Sequence, residues 1–168
     1  MSTIKGKCGG HNFHGAPARF EVVADYIYSQ YANKIKYIAD VAGGQGMLAK
    51  ILRKKYNYIV DVIDPRGWTL IGVDNRKEIY SADMASYYDL IVGLHPDEAT
   101  IEVAKSALIR PTILVPCCNF WDRTRKLGRD ALLNEIAKYY EKNNIEYKKV
   151  VFDFASSKNI GLVTRIGK

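Results

Sequence analysis

Cysteine is scarce in this 168-residue chain: Cys8 and the neighbours Cys117 and Cys118 are the three present. An odd count gives no disulfide framework and suits a reducing compartment. No stretch approaches the ~18 uninterrupted apolar residues of a membrane span, and residues 1–7 lack the hydrophobic stretch of a secretory signal. Repeats, heptads and low-complexity linkers are missing too, which excludes solenoids, coiled coils and tethered modules. The expectation is one soluble, cytoplasmic domain over 1–168, with no membrane association and no obligate protein partner, since single domains commonly run to ~100–200 residues.

Negative charge is in short supply as well: 25 Lys and Arg face 18 Asp and Glu, a formal net charge of +7. The excess clusters at Lys50, Arg53, Lys54 and Lys55, and again at Arg123, Arg125, Lys126 and Arg129. A basic surface recruits polyanions through its long-range field and counterion release, yet lysines on a helix also simply keep it solvated. The first cluster reads as a solvated helix face. The second follows Phe120 and Trp121, so stacking and charge together make it the nucleic-acid candidate.

What is present is an alternation of β-like and helical runs. Phe20, Val23, Ala24, Ile27, Tyr28 and Tyr31 have helical spacing over residues 17–33, with Pro17 acceptable in the first turn. The run from Tyr37 leads to Asp40, and Ala42, Gly43, Gly44 and Gly46 follow before a helix over 47–55. A strand that ends in a carboxylate and turns through glycines lets bare backbone approach a nucleotide, although an ordinary tight turn looks alike. Twenty residues after Gly44, the run 58–63 ends in Asp64, placed to hydrogen-bond both hydroxyls of a ribose. Between Asp64 and Asp89 there is no room for a full crossover helix, so a loop or short turn is predicted there. Strands over 88–94 and 111–116 flank a helix over 99–109, and a helix over 129–143 precedes strands 146–154 and 160–166. The fold class is therefore α/β: a mostly parallel, Rossmann-like sheet with a C-terminal antiparallel hairpin strand and helices on both faces. Residues 1–16 form a lead that can act as a lid, and 17–34 a covering helix.

With the residues in that order, the chain resembles the class I S-adenosylmethionine-dependent methyltransferases over residues 17–168. The family's acidic residue and spaced glycines fall on Asp40, Gly44 and Gly46, with Ala42 where glycine is commonest. The resemblance implies S-adenosylmethionine as cofactor, held by Asp40, Ala42, Gly43, Gly44 and Gly46, with Asp64 on the ribose and Asp83 and Met84 on the adenine. Gly93, Leu94 and His95 after strand four, with Pro116, Cys117 and Cys118 after strand five, are similar to a subgroup bearing Gly-Leu-His and paired cysteines there. Some members methylate tRNA, which implies an RNA partner; Pro96, Asp97 and Glu98 stand where several carry Cys-Gly.

Ligands of open α/β sheets sit beyond the carboxyl ends of the strands, so Gly44, Asp64, Asp83, His95 and Cys117 should share one rim. Methyl transfer from a sulfonium asks a protein to align the acceptor, exclude water and take up a proton. His95 is the candidate base, also counted among the cofactor contacts, with Asp97 orienting it or taking the proton and Asn119 orienting the acceptor. Alternatively, His95 only caps a helix or packs on the cofactor. Substrate-binding candidates are His14, Arg19, Cys117, Cys118, Trp121 and Arg123. Adjacent cysteines can also be thiolate nucleophiles, metal ligands or plain packing, and Asn119 and Trp121 can belong to a loop tucked into the core. No metal is assigned, because Cys8, His11 and His14 would need Cys117 or Cys118 as a distant zinc partner. A nicotinamide-dependent oxidoreductase is the alternative, since Gly44, Gly46 and Ala49 also satisfy the dinucleotide fingerprint. Asp40 suits a cationic amino-acid moiety better than a pyrophosphate. Protein or small-molecule methylation, and a non-catalytic RNA-binding module, stay open.

Overall fold

The computed structural model of the protein describes residues 15–165. The expected lid segment 1–14, with Cys8, His11 and His14, lies outside them. Eleven regular elements follow one another: α1 (Arg19–Tyr31), β1 (Tyr37–Val41), α2 (Met47–Tyr56), β2 (Ile59–Ile63), β3 (Asn75–Arg76), β4 (Leu90–Leu94), α3 (Thr100–Ser106), β5 (Thr112–Val115), α4 (Arg129–Lys142), β6 (Tyr147–Val151) and β7 (Ile160–Thr164).

The seven strands form one sheet in the order β3-β2-β1-β4-β5-β7-β6. β1 to β5 are parallel, and β7 runs antiparallel to both β5 and β6. Successive strand side chains point to opposite faces, so the central strands feed two cores. Ile38, Val60, Val62 and Val92 pack with Val23, Ile27, Leu48 and Leu52 of α1 and α2. Ala39, Ile63, Ile91 and Leu114 pack with Val103, Leu133 and Ile136 of α3 and α4. Central strands buried on both faces explain the unbroken apolar runs.

The compressed stretch is a loop, residues 64–74, a two-residue β3 and a 3-10 helix over Ala82–Tyr87. α3 is shorter than the 99–109 expected, with a 3-10 turn at Asp97–Ala99 before it and turns after it. The chain after Ser106 tightens into i to i−3 turns, Leu108 N–H to Lys105 O and Ile109 N–H to Ser106 O, and Pro111 disfavours helical backbone at Arg110 beyond them. β6 ends at Val151, not 154: Phe152 N–H still bonds Asn159 O at 2.8 Å, but 152–159 then leave the sheet as a loop. Among the described residues no helix is long and apolar enough to cross a membrane. Parallel register, with Val41 beside Ile63 and Leu94 beside Val115, brings the carboxyl ends of β1, β2, β4 and β5 to one edge.

Candidate active site

The turn from β1 into α2 is tight. Gly46 sits at φ +79, and a Cβ there would lie 2.6 Å from Val73 Cγ1. At Gly43 a Cβ would meet the Asp40 carboxyl group at 2.6 Å. Asp40 therefore lies beneath the loop, on the α2 side of the sheet, and accepts the Ala49 N–H from the first turn of α2. Its second oxygen is buried with no hydrogen-bond partner. Burial pushes this carboxyl up to about 7, against the pull of the Ala49 amide and with the push of the Asp64 charge. Asp40, expected among the cofactor contacts, lines neither cavity and lies beneath Gly43.

Asp64 behaves oppositely. It accepts Gly44 N–H at 2.9 Å, Arg66 N–H at 2.9 Å, Arg66 Nε at 3.0 Å and Arg66 Nη2 at 2.7 Å. Burial alone would raise its pKa, but the Arg66 guanidinium and the two amides outweigh it and hold the group below the usual carboxylate range. Four donors saturate a carboxylate. The acid and the glycine loop are thus joined by a hydrogen bond, and Asp64 has no acceptor position left for another donor while Arg66 stays bent over it.

Two cavities open at this edge, of about 470 and 390 Å³, and Ala42, Arg66 and Asp97 line both. The larger lies over Gly43, Gly44 and Gln45 and is walled by Arg19, His95, Cys117 and Lys158. The smaller is more apolar, between Pro65, Ile79, Tyr80 and Phe120, with Asp64 at its side. Asp83 and Met84 line neither. Asp83 accepts the Ser81 hydroxyl, and Met84 packs against the α3–α4 core. β3 ends at Arg76, and the residues nearer that end, Ile79 and Tyr80, line the smaller cavity.

His95 has the left-handed φ of +55 and is half-buried. Its Nε2 lies 2.9 Å from Lys158 O; a carbonyl only accepts, so Nε2 carries the proton and Nδ1 is left to receive one. Burial lowers the His95 pKa, helped by the Arg19 and Lys158 charges and opposed by the Lys158 carbonyl and Asp97, which favours the neutral ring. Asp97 does not orient His95 as expected. Its Oδ1 instead accepts the Cys117 thiol at 2.9 Å, and burial and this carboxylate push that thiol well up. Cys118 is exposed, 3.4 Å from Lys158 Nζ. Arg19 is 8% exposed, lines the larger cavity, and donates Nη1 to Ala16 O at 3.0 Å, while its buried Nε has no hydrogen-bond partner.

Three further candidates do not join the rim. Asn119 spends its side chain on its own loop, donating to Asp122 O and Arg125 O at 2.7 Å each and accepting Asp122 N–H at 3.1 Å. Trp121 packs edge-on against Tyr139 of α4, with ring centroids 5.6 Å apart. Arg123 stacks over Phe120 at 4.7 Å, so the aromatic of that pair that reaches a cavity is Phe120. The second basic cluster is partly neutralised: Arg125 pairs with Asp122 and Glu135, and Arg129 with Asp130. In the first, Arg53 pairs with Asp74 and Lys55 with Glu21 and Asp25. Arg66 and Lys158 are functional candidates that sequence reasoning missed. Arg66 stood two residues after Asp64 in a Pro-containing turn, a usable signal; Lys158 is delivered by the β6–β7 loop and had none.

No protein-family model matches the chain, and no curated protein matches it significantly. Solved structures do match. A methyltransferase from Pyrococcus furiosus gives a TM-score of 0.56 at 13% identity, over 88% of this chain and 83% of that one. The 1,6-didemethyltoxoflavin-N1-methyltransferase of Burkholderia thailandensis, solved with 1,6-didemethyltoxoflavin and S-adenosylhomocysteine, gives 0.55 at 13% identity, over 88% and 76%. The fold is the class I methyltransferase fold. A putative hemolysin from Streptococcus thermophilus shares it, at a TM-score of 0.58 and 9% identity over 93% of this chain and 68% of that one. At such identities the likeness is one of architecture, and chemistry has to be argued from the site.

Proposed function

We propose that this chain is an S-adenosylmethionine-dependent methyltransferase that acts on RNA, with tRNA the first substrate class to examine. One observation carries the reading: the Gly44 amide and the Asp64 carboxylate are hydrogen-bonded to each other at the rim of a methyltransferase-type sheet. The residues present fit the cofactor in two respects. Gly43, Gly44 and Gln45 bring the loop backbone to the wall of the larger cavity, and Pro65, Ile79 and Phe120 offer an apolar recess for a planar base beside the ribose acid. When bound, the cofactor supplies an electrophilic methyl group. The glycine amides and Asp64 hold and orient it, and His95 Nδ1 takes the acceptor's proton.

A phosphate-bearing acceptor is favoured by charge. Arg19 and Lys158 line the larger cavity against the single carboxylate of Asp97, beside Arg66, whose charge is paired with Asp64. A buried guanidinium with an unpartnered Nε is costly until an anion answers it. The oxidoreductase reading loses support from topology, because the dinucleotide sheet is ordered 3-2-1-4-5-6, and here antiparallel β7 separates β5 from β6. A thermal-shift series with S-adenosylmethionine, S-adenosylhomocysteine and NAD tests the cofactor, and tritium transfer to total RNA, protein and small-metabolite fractions tests the acceptor. Stabilisation by both adenosyl compounds and label in RNA is expected. Stabilisation by NAD alone, or label confined to protein or metabolites, defeats the corresponding half.

A further inference from the structure

Asp97, Cys117 and Cys118 have no task in methyl transfer as described above, yet register places them together. Leu94 and Val115 are paired neighbours at the ends of β4 and β5, so residues just past the two strand ends meet at the rim. Each of the three offers one ligand atom, and these atoms lie within 4.8 Å of one another. The Cys117 Sγ to Asp97 Oδ1 separation is 2.9 Å.

We propose that Asp97, Cys117 and Cys118 form a binding site for a thiophilic divalent cation of the zinc type. The donor set selects the ion: magnesium and calcium demand oxygen ligands, whereas two thiolates and a carboxylate suit zinc. Metal–ligand bonds of about 2.3 Å to sulfur and about 2.0–2.2 Å to oxygen place three donors around one ion at separations of this order, so small side-chain shifts close the site. Charge is compatible too. Two thiolates and a carboxylate around a dication leave one net negative charge, and Lys158 Nζ, 3.4 Å from Cys118 Sγ, is the neighbouring cation that answers it. Three protein ligands leave the fourth position of a tetrahedral ion open. Cys117 and Asp97 both line the larger cavity, so an exogenous donor, water or an acceptor heteroatom, has access to that position. The site does not depend on the methyl-donor reading.

The test is titration of the reduced, metal-stripped protein with cobalt(II), followed by zinc(II) competition, with no cofactor or substrate added. The expected result is one equivalent bound with thiolate-to-cobalt charge transfer and tetrahedral ligand-field bands, all lost on addition of zinc. Cys117→Ser/Cys118→Ser should abolish the charge-transfer band and weaken zinc binding by more than the roughly 100-fold that loss of a mere outer-shell partner costs. Asp97→Asn, which keeps both thiols and guards against a folding failure of the double variant, should keep the band and weaken binding. Absence of stoichiometric binding overturns the proposal. So does undiminished binding in the double variant, which retains the donors Cys8, His11 and His14.

Discussion

Two carboxylates one loop apart have had their pKa values pushed in opposite directions. Asp40 is buried with one oxygen unpartnered, and its carboxyl is raised to about 7; Asp64 is held ionised by Arg66 and two amides. The sign for Asp40 follows from linkage: between the unfolded value of ~3.9 and the folded one, the native state binds more protons. Stability should therefore fall as pH rises from about 4 to 7, and the penalty should be complete above that. Asp40→Asn should be more stable than the parent at pH 8, by at most about 4 kcal/mol at 1.36 kcal/mol per unit, with the difference gone near pH 4. Urea denaturation across that range checks it, and parallel pH profiles for parent and variant would count against the assignment. Arg66 competes with a ribose for Asp64, so Arg66→Ala should tighten S-adenosylhomocysteine binding by about tenfold, or ~1.4 kcal/mol, in calorimetry. Weaker binding would instead make Arg66 a cofactor clamp. The Asp64 side chain was legible because an acid at a strand tip has few local uses. Its saturation by Arg66 was not, because charge counts do not report which cation bends back. Asn119 was misread for a related reason: asparagine in a turn satisfies neighbouring backbone groups as readily as it meets a ligand.

At the scale of elements, strands buried on both faces and helices with apolar spacing announced themselves, and most boundaries fall within a residue or two of their expected places. β3 did not, since a two-residue strand has no period to read; Asp83 and Met84, expected beyond it, line neither cavity. Lys158 was invisible because the loop between β6 and β7 brings it to the rim from the far end of the chain, a long-range outcome that no local pattern encodes. α1 plays two parts: Ile27 is fully buried in the core, while Arg19, its first residue, lines the cleft. These should separate experimentally. Ile27→Ala should cost roughly 2–5 kcal/mol of stability and leave cofactor affinity intact under native conditions. Arg19→Gln should change stability little and weaken binding of an anionic ligand, as read by chemical denaturation beside calorimetry. Loss of ligand affinity in folded Ile27→Ala would show that the helix positions the site as a whole.

At the scale of the whole molecule, the net charge of +7 and a cleft walled by Arg19, Arg66 and Lys158 predict RNA binding that is steeply salt-dependent. Each phosphate contact to a single strand contributes about 0.7 to the slope of log affinity against log salt, so Lys158→Ala should flatten that slope by about this amount. An unchanged slope would place the phosphates elsewhere. The placement of β7 also governs how the protein is made. β6 has β7 as its partner in the sheet, and β5 waits for the same strand on that side. During synthesis the hydrogen-bonding edge of β5 thus stays open through the whole of α4 and β6, until residues 160–164 leave the ribosome. A nascent chain stalled before Ile160 carries an uncapped sticky margin, and its hazard is self-association rather than slow unfolding.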